Sequence, residues 1–300
     1  MFFANRSLTF NEDPTRFLDF EFSKNDPRTK DIHFYISPNN EPFLLSQWGI
    51  KNYALDFELP NGWFSKYKNI AISHECQFDK IFTIDPSFCK NRNKFLNREL
   101  YVPVFFPFSE KNISKHICYK KVYDICIATG QFPKWVKLLL KELSKFNLNI
   151  CTISQVEPCA THQKVSFKEK IDLIAQSKIS ICWNELYLDK FNLTRENIFN
   201  LKQQGIVVQG NVLSQHKSRI QEAAFGKSLI LCKRDPFNII EDIYTENENF
   251  QYINGDSSDI RKILNIIVNY NRYQKNIENT FQLALKKYTT KSFYEQYIVP

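Results

Sequence analysis

From residue 123 onward, short unbroken apolar runs alternate with stretches whose apolar positions recur every three or four residues. The runs at 124–128, 148–154, 179–183, 228–232 and 250–253 have strand length, and 228–232 shows no polar alternation. That is the pattern of strands buried on both faces of a parallel sheet. Between them, residues 133–146 place Val136, Leu139, Leu140 and Leu143 on one helical stripe, opened by Pro133 where proline is tolerated. Ser166-Phe167-Lys168-Glu169 is a capping-box pattern and predicts a helix through residue 176. Further helices are expected at 222–225, closed by Gly226, at 237–244, as a pair across 259–288, and at 290–297. Strands alternating with helices imply a parallel sheet covered on both faces, with ligands beyond the carboxyl ends of the strands.

The first 110 residues are less regular. Runs at 32–36, 53–57, 69–73 and 80–84 read as short strands, and 101–108 reads as a strand leaving into a linker at about 107–121. The expected organisation is a reduced N-terminal α/β domain over 1–110, a Rossmann-like domain over 120–288, and a final segment, 289–300. A length of 300 residues suits two medium domains.

Composition narrows the class. With 43% hydrophobic and 15% aromatic residues the chain can build real cores. Its longest apolar runs fall far short of a membrane span, and residues 1–14 are a poor secretion signal. The eight cysteines lack C-x-x-C or zinc spacing and several sit in or beside expected strands, so they read as reduced core residues of a cytoplasmic protein. A formal charge of +8 fits anionic partners. The lysines of 133–146 (Lys134, Lys137, Lys141, Lys145) admit two readings, a solvated face or a membrane-surface contact, of which the first is the commoner use of such runs.

The candidate chemistry concentrates in 217–253. Lys217-Ser218-Arg219 forms a charged turn before Glu222 and a short small-residue helix. A helix N-terminus presents free N–H groups and a positive dipole end to a phosphate. Arg219 adds a fork of donors for a diphosphate, and Glu222 adds acceptors for sugar hydroxyls. Thr129 and Gly130, after the run 124–128, form a candidate close-approach loop, and Asn184, after 179–183, a candidate base-pocket residue. Each of these also reads as ordinary turn polarity, and Glu222 as a plain helix-opening carboxylate. His74 and Glu75 follow the run 69–73 and offer a general base at a strand end, although a lone histidine is more often structural. His216, Lys217, His162, Asp235 and Glu248-Asn249 are weaker candidates. The sequence contains no D-x-D, no G-x-G-x-x-G, no Walker A motif and no G-x-S-x-G.

The pattern SRxxEAAxGKSLIL from Ser218, then DPFNIIE from Asp235, the segment Glu246-Asn247-Glu248-Asn249-Phe250 and the closing YTTxxFxxxY resembles group-1 type glycosyltransferases of the GT-B fold. The subgroup it resembles shares its C-terminal domain with spore-maturation-type proteins, and the resemblance covers about 120–297. It implies an α/β fold of two Rossmann-like domains, the N-terminal one reduced, and a last helix that crosses back. It implies a nucleotide-sugar donor held by Glu222 and Arg219, with Ser218, Thr129, Gly130 and Asn184 lining the donor side. It further implies an unidentified carbohydrate or lipid-linked acceptor on the N-terminal side, near His74 and Glu75. No cofactor or metal is expected, the nucleotide sugar being a substrate. The expected partners are the donor, the acceptor and a peripheral membrane contact, with no nucleic acid. Many relatives carry a second Glu eight residues upstream of the first; here that position is Ser214. The departure favours an alternative, a catalytically decayed nucleotide- or glycan-binding protein.

Overall fold

The computed structural model describes residues 30–36, 49–56, 75, 78–105, 107–109, 113, 120–188, 198–199, 202 and 206–297. The chain groups into two compact units, Met1–Ser109 with Leu186–His216, and Glu110–Glu185 with Lys217–Pro300.

In the first unit, β1 (Lys30–Ile36), β2 (Gly49–Asp56), β3 (Lys80–Thr83) and β4 (Tyr101–Pro103) form a parallel sheet in that order. The expected strand at 69–73 lies outside the described residues. Between β3 and β4 the chain forms α1 (Pro86–Leu96), which the hydrophobic pattern did not announce. Its start is nonetheless encoded: Asp85 accepts the Phe88 N–H at 2.8 Å, and Pro86 fills the first turn, where its missing N–H costs nothing. The apolar period is hidden because Arg92 and Asn93 occupy buried positions. Asn93 staples α1 to β4 by accepting the Tyr101 N–H and donating to the Tyr101 carbonyl, both at 2.8 Å. Phe88 packs edge-on against Tyr101 at 5.0 Å.

The second unit contains β5 (Tyr123–Ala128), α2 (Lys134–Leu143), β6 (Ile150–Ser154), β7 (His162–Gln163), α3 (Phe167–Ala175) and β8 (Ser177–Trp183). β9 (Glu185–Tyr187) and β10 (Val212–Ser214) form a separate two-stranded sheet, and the second unit resumes with α4 (Ser218–Phe225), β11 (Leu229–Lys233) and β12 (Phe250–Ile253). They are followed by α5 (Asp259–Val268), α6 (Gln274–Lys287) and α7 (Thr290–Tyr297). Six parallel strands order as β12-β11-β8-β5-β6-β7. The chain therefore winds outward from β5 through β6 to β7, returns to β8, and winds the other way. This is the doubly wound α/β arrangement, with its switch point between β5 and β8. Leu229, Ile230, Leu231 and Cys232 of β11 are all buried, which is why the run reads as unbroken apolar sequence. Six described cysteines are free, five of them buried.

Two expected elements differ. The helix expected at 222–225 begins at Ser218, because nothing between Lys217 and Glu222 breaks a helix and Ile220, Ala223 and Ala224 bury one face. The helix expected at 237–244 is a single 3-10 turn, Ile239–Asp242. Asp235 takes the N–H groups of Phe237 and Ile239, and Asn238 adopts a left-handed φ of 53°, so the chain turns instead of propagating. The helix expected from Ser166 forms, the Ser166 side chain accepting from the Glu169 N–H at 3.2 Å.

Gly226 closes α4 where it crosses α3. A Cβ there would lie 2.5 Å from Cγ2 of Ile174, so Gly226→Ala forces the helices apart. We expect a loss of about 1–3 kcal/mol in urea unfolding, as for other overpacked contacts. Ile174→Leu removes the clashing methyl and should recover part of that loss in the double variant; unchanged stability of Gly226→Ala would refute the close approach.

Candidate functional site

Switch-point chemistry is set at the carboxyl ends of β5 and β8. β5 runs into Thr129 and Gly130, and β8 into Asn184. α4 starts beside these ends because Asn184, fully buried, accepts the Lys217 N–H on Oδ1 at 3.1 Å. Its Nδ2 is buried without a hydrogen-bond partner among the described residues. Arg219, in the first turn of α4, reaches across the switch point. Its Nη2 donates to Thr129 Oγ1 at 3.2 Å and its Nη1 to the Trp183 carbonyl at 3.4 Å, and its guanidinium lies 4.0 Å over the Trp183 ring. Trp135, on α2, meets Trp183 edge to face at 5.3 Å. Arg219, Thr129, Gly130, Ser218 and Asn184 thus come together at one place. Ser218 is half-buried on the first turn of α4, and a Cβ on Gly130 would meet nothing within 4 Å. The N-terminal N–H groups of α4 and the arginine together supply positive charge here.

Glu222 sits one turn further along α4. Its carboxylate is fully buried and ion-paired at 2.6 Å to Lys170 of α3. The pair joins α4 to α3, and breaking such a buried pair leaves an uncompensated charge. Beneath the same strand ends, Lys233 at the close of β11 holds Glu185 through both oxygens, at 2.6 and 2.8 Å, and its ammonium lies 6.0 Å from the Trp135 ring. At the end of β8 burial pushes the Cys182 thiol up to about 12, so it is neutral packing beneath Arg219.

The other candidates are placed elsewhere or serve the fold. His74 lies outside the described residues. Glu75, in the first unit, accepts from Arg92 Nε at 3.1 Å and Nη2 at 2.7 Å and from the Tyr101 hydroxyl at 2.8 Å, an arrangement that ties α1 to β4. His216 is buried against Phe105, ring centroids 4.3 Å apart. His162 lies within 3.0 Å of the Thr161 hydroxyl and 3.7 Å of Cys151 Sγ. Asp235 and Asn249 are buried turn-formers. The hydrophobic pattern missed Trp183, Trp135, Lys170 and the Glu185–Lys233 pair. Trp183 carried a usable signal, an aromatic closing a buried run directly before Asn184-Glu185. Among the described residues no group of three or more His, Cys, Asp or Glu side chains is arranged to hold a metal ion.

The doubly wound unit and its flanking helices have the fold of GT-B glycosyltransferases. The chain resembles TarM of S. aureus, with a TM-score of 0.56 and 12% identity over 89% of this chain and 54% of TarM. It also resembles sucrose-phosphate synthase of Thermosynechococcus elongatus, with a TM-score of 0.54 and 6% identity over 88% of this chain and 71% of that one. HepE of Anabaena, in complex with UDP and glucose, gives a TM-score of 0.51 and 11% identity over 89% of this chain and 76% of HepE. The chain spans about half the length of TarM (54%). No protein-family model and no curated protein sequence matches the chain.

Proposed function

We propose that this chain is a glycosyltransferase that moves a sugar from a nucleoside-diphosphate donor to a carbohydrate or lipid-linked acceptor, without a metal ion. The observation that carries the reading is Arg219, held by Thr129 and Trp183 at the switch point of a GT-B sheet, on the first turn of α4. TarM has been captured with UDP and alpha-GlcNAc-glycerol, and HepE with UDP and glucose, which supports a uridine diphosphate donor. Ser218, Arg219 and the α4 N–H groups receive the diphosphate. As the bond to the sugar breaks, charge grows on the departing diphosphate. Fixed donors already aimed there lower the barrier without reorganising, the task a divalent cation performs in other transferases. Thr129 and Gly130 border the ligand, and Asn184 fixes where α4 begins. Glu222 keeps α4 on α3 by pairing Oε2 with Lys170, and in this reading its Oε1, which has no hydrogen-bond partner among the described residues, accepts from donor hydroxyls. His74 is the general base of this reading.

A second reading, a binder without turnover, is favoured by Ser214 in place of the upstream Glu and by the engagement of Glu75 with Arg92 and Tyr101. One experiment separates the two. UDP-, GDP-, ADP-, dTDP- and CMP-sugars are tested for thermal stabilisation and for transfer or slow hydrolysis, with EDTA present throughout. A single nucleotide class should stabilise the protein, by about 2.7 kcal/mol at a hundredfold excess over Kd. His74→Ala should keep that shift and lose transfer. Stabilisation without turnover on any acceptor establishes the binder, and no shift with any nucleotide rejects the transferase and leaves only a glycan binder.

A further inference from the structure

We infer that the outer face of α2 is a docking surface for an anionic lipid bilayer, independent of what the switch point binds. Val136, Leu139 and Leu143 turn α2 onto its own unit, which leaves the opposite side to solvent. At 3.6 residues per turn, Lys134, Lys137, Leu138, Lys141 and Lys145 fall within an arc of roughly 100° on that outer side. Leu138 is 55% exposed at one edge of this arc, where a solvated face calls for a polar residue. Lys137 is paired to Glu157 and Lys145 to Glu142, whereas Lys134 and Lys141, which flank Leu138, make no ion pair among the described residues. Apolar exposure gathers around the same helix. Phe146, just past its end, is 43% exposed, and Val156 is 67% exposed beside the Glu157 that holds Lys137. Val268 is 82% exposed at the end of α5, which packs on α2.

Uncompensated lysines around exposed apolar side chains are the pattern of a helix that lies in a lipid interface. The ammonium groups meet anionic headgroups while the apolar tips enter the boundary with the acyl chains. A polyanion such as nucleic acid uses the lysines but gives Leu138 nothing to enter, and a second copy of this face brings like charges together. Ten residues of helix span about 15 Å, half a bilayer core, so the contact is peripheral.

Co-sedimentation with vesicles tests this. The whole chain should bind vesicles of equal parts phosphatidylcholine and phosphatidylglycerol, fail to bind phosphatidylcholine alone, and release at high salt. Lys134→Gln with Lys141→Gln should weaken binding roughly 25-fold, the equivalent of about 1 kcal/mol for each lysine. Leu138→Ser should weaken it further at an unchanged Tm, which separates insertion from plain charge attraction. Equal binding to neutral vesicles, an unaffected double lysine variant, or a Leu138→Ser variant that binds as the wild type does would overturn the inference. So would a concentration-dependent dimer that Leu138→Ser abolishes.

Discussion

Arg219→Ala should weaken UDP binding by about 10- to 100-fold, the loss expected when a charged donor is removed from a phosphate. The guanidinium is already oriented by three neighbours, Thr129 Oγ1, the Trp183 carbonyl and the Trp183 ring, so little side-chain freedom is lost when a diphosphate arrives. Arg219→Lys keeps the charge without the planar fork or its seat on the indole, and should fall between alanine and wild type. Stability should change far less than affinity. Arg219 is half-buried, and its contact with Trp183 contributes on the order of 1 kcal/mol. Titration calorimetry with UDP in EDTA, beside a urea melt of each variant, reads both quantities. If Arg219→Ala binds UDP as the wild type does, the diphosphate lies elsewhere, however well the fold matches.

Much of this arrangement was legible because burial on both faces leaves an unmistakable mark. β5, β8 and β11 read directly from apolar runs, and the capping box at Ser166 located α3. α1 was hidden by the opposite circumstance: Arg92 and Asn93 are buried with their polar groups satisfied, so the helical period vanished while the Asp85–Pro86 start remained readable. At the site, residues on one strand end or helix turn could be named, as Thr129, Asn184 and Arg219 were. Pairs formed by folding could not. Trp135 with Trp183, Lys233 with Glu185, and Lys170 with Glu222 each join different elements, and no local spacing announces which charge will answer which. Glu222 shows the consequence. The residue belongs to the helix that resembles the donor-binding motif, yet only tertiary packing decides whether its carboxylate meets a ligand or a lysine.

The second large effect is on acid stability, and it centres on His216. Burial against Phe105 in the first unit lowers its pKa from 6.5 to about 3, since an imidazolium loses its hydration there. The folded protein therefore refuses a proton that the unfolded chain accepts as the pH falls below 6.5. Stability is unaffected by this group above that value and declines by about 1.4 kcal/mol for each pH unit below it. The decline levels off near pH 3, where the folded state is protonated too. His216→Gln removes the proton acceptor at the cost of an imperfect fit, about 1–2 kcal/mol at neutral pH. Its urea midpoint should fall less steeply than the wild type's under acid conditions, so that the two curves converge and cross. Other groups that titrate in acid do so alike in both proteins, and the difference between the curves isolates the histidine. Curves that stay parallel as the pH is lowered would show that His216 takes its proton without unfolding the unit that buries it.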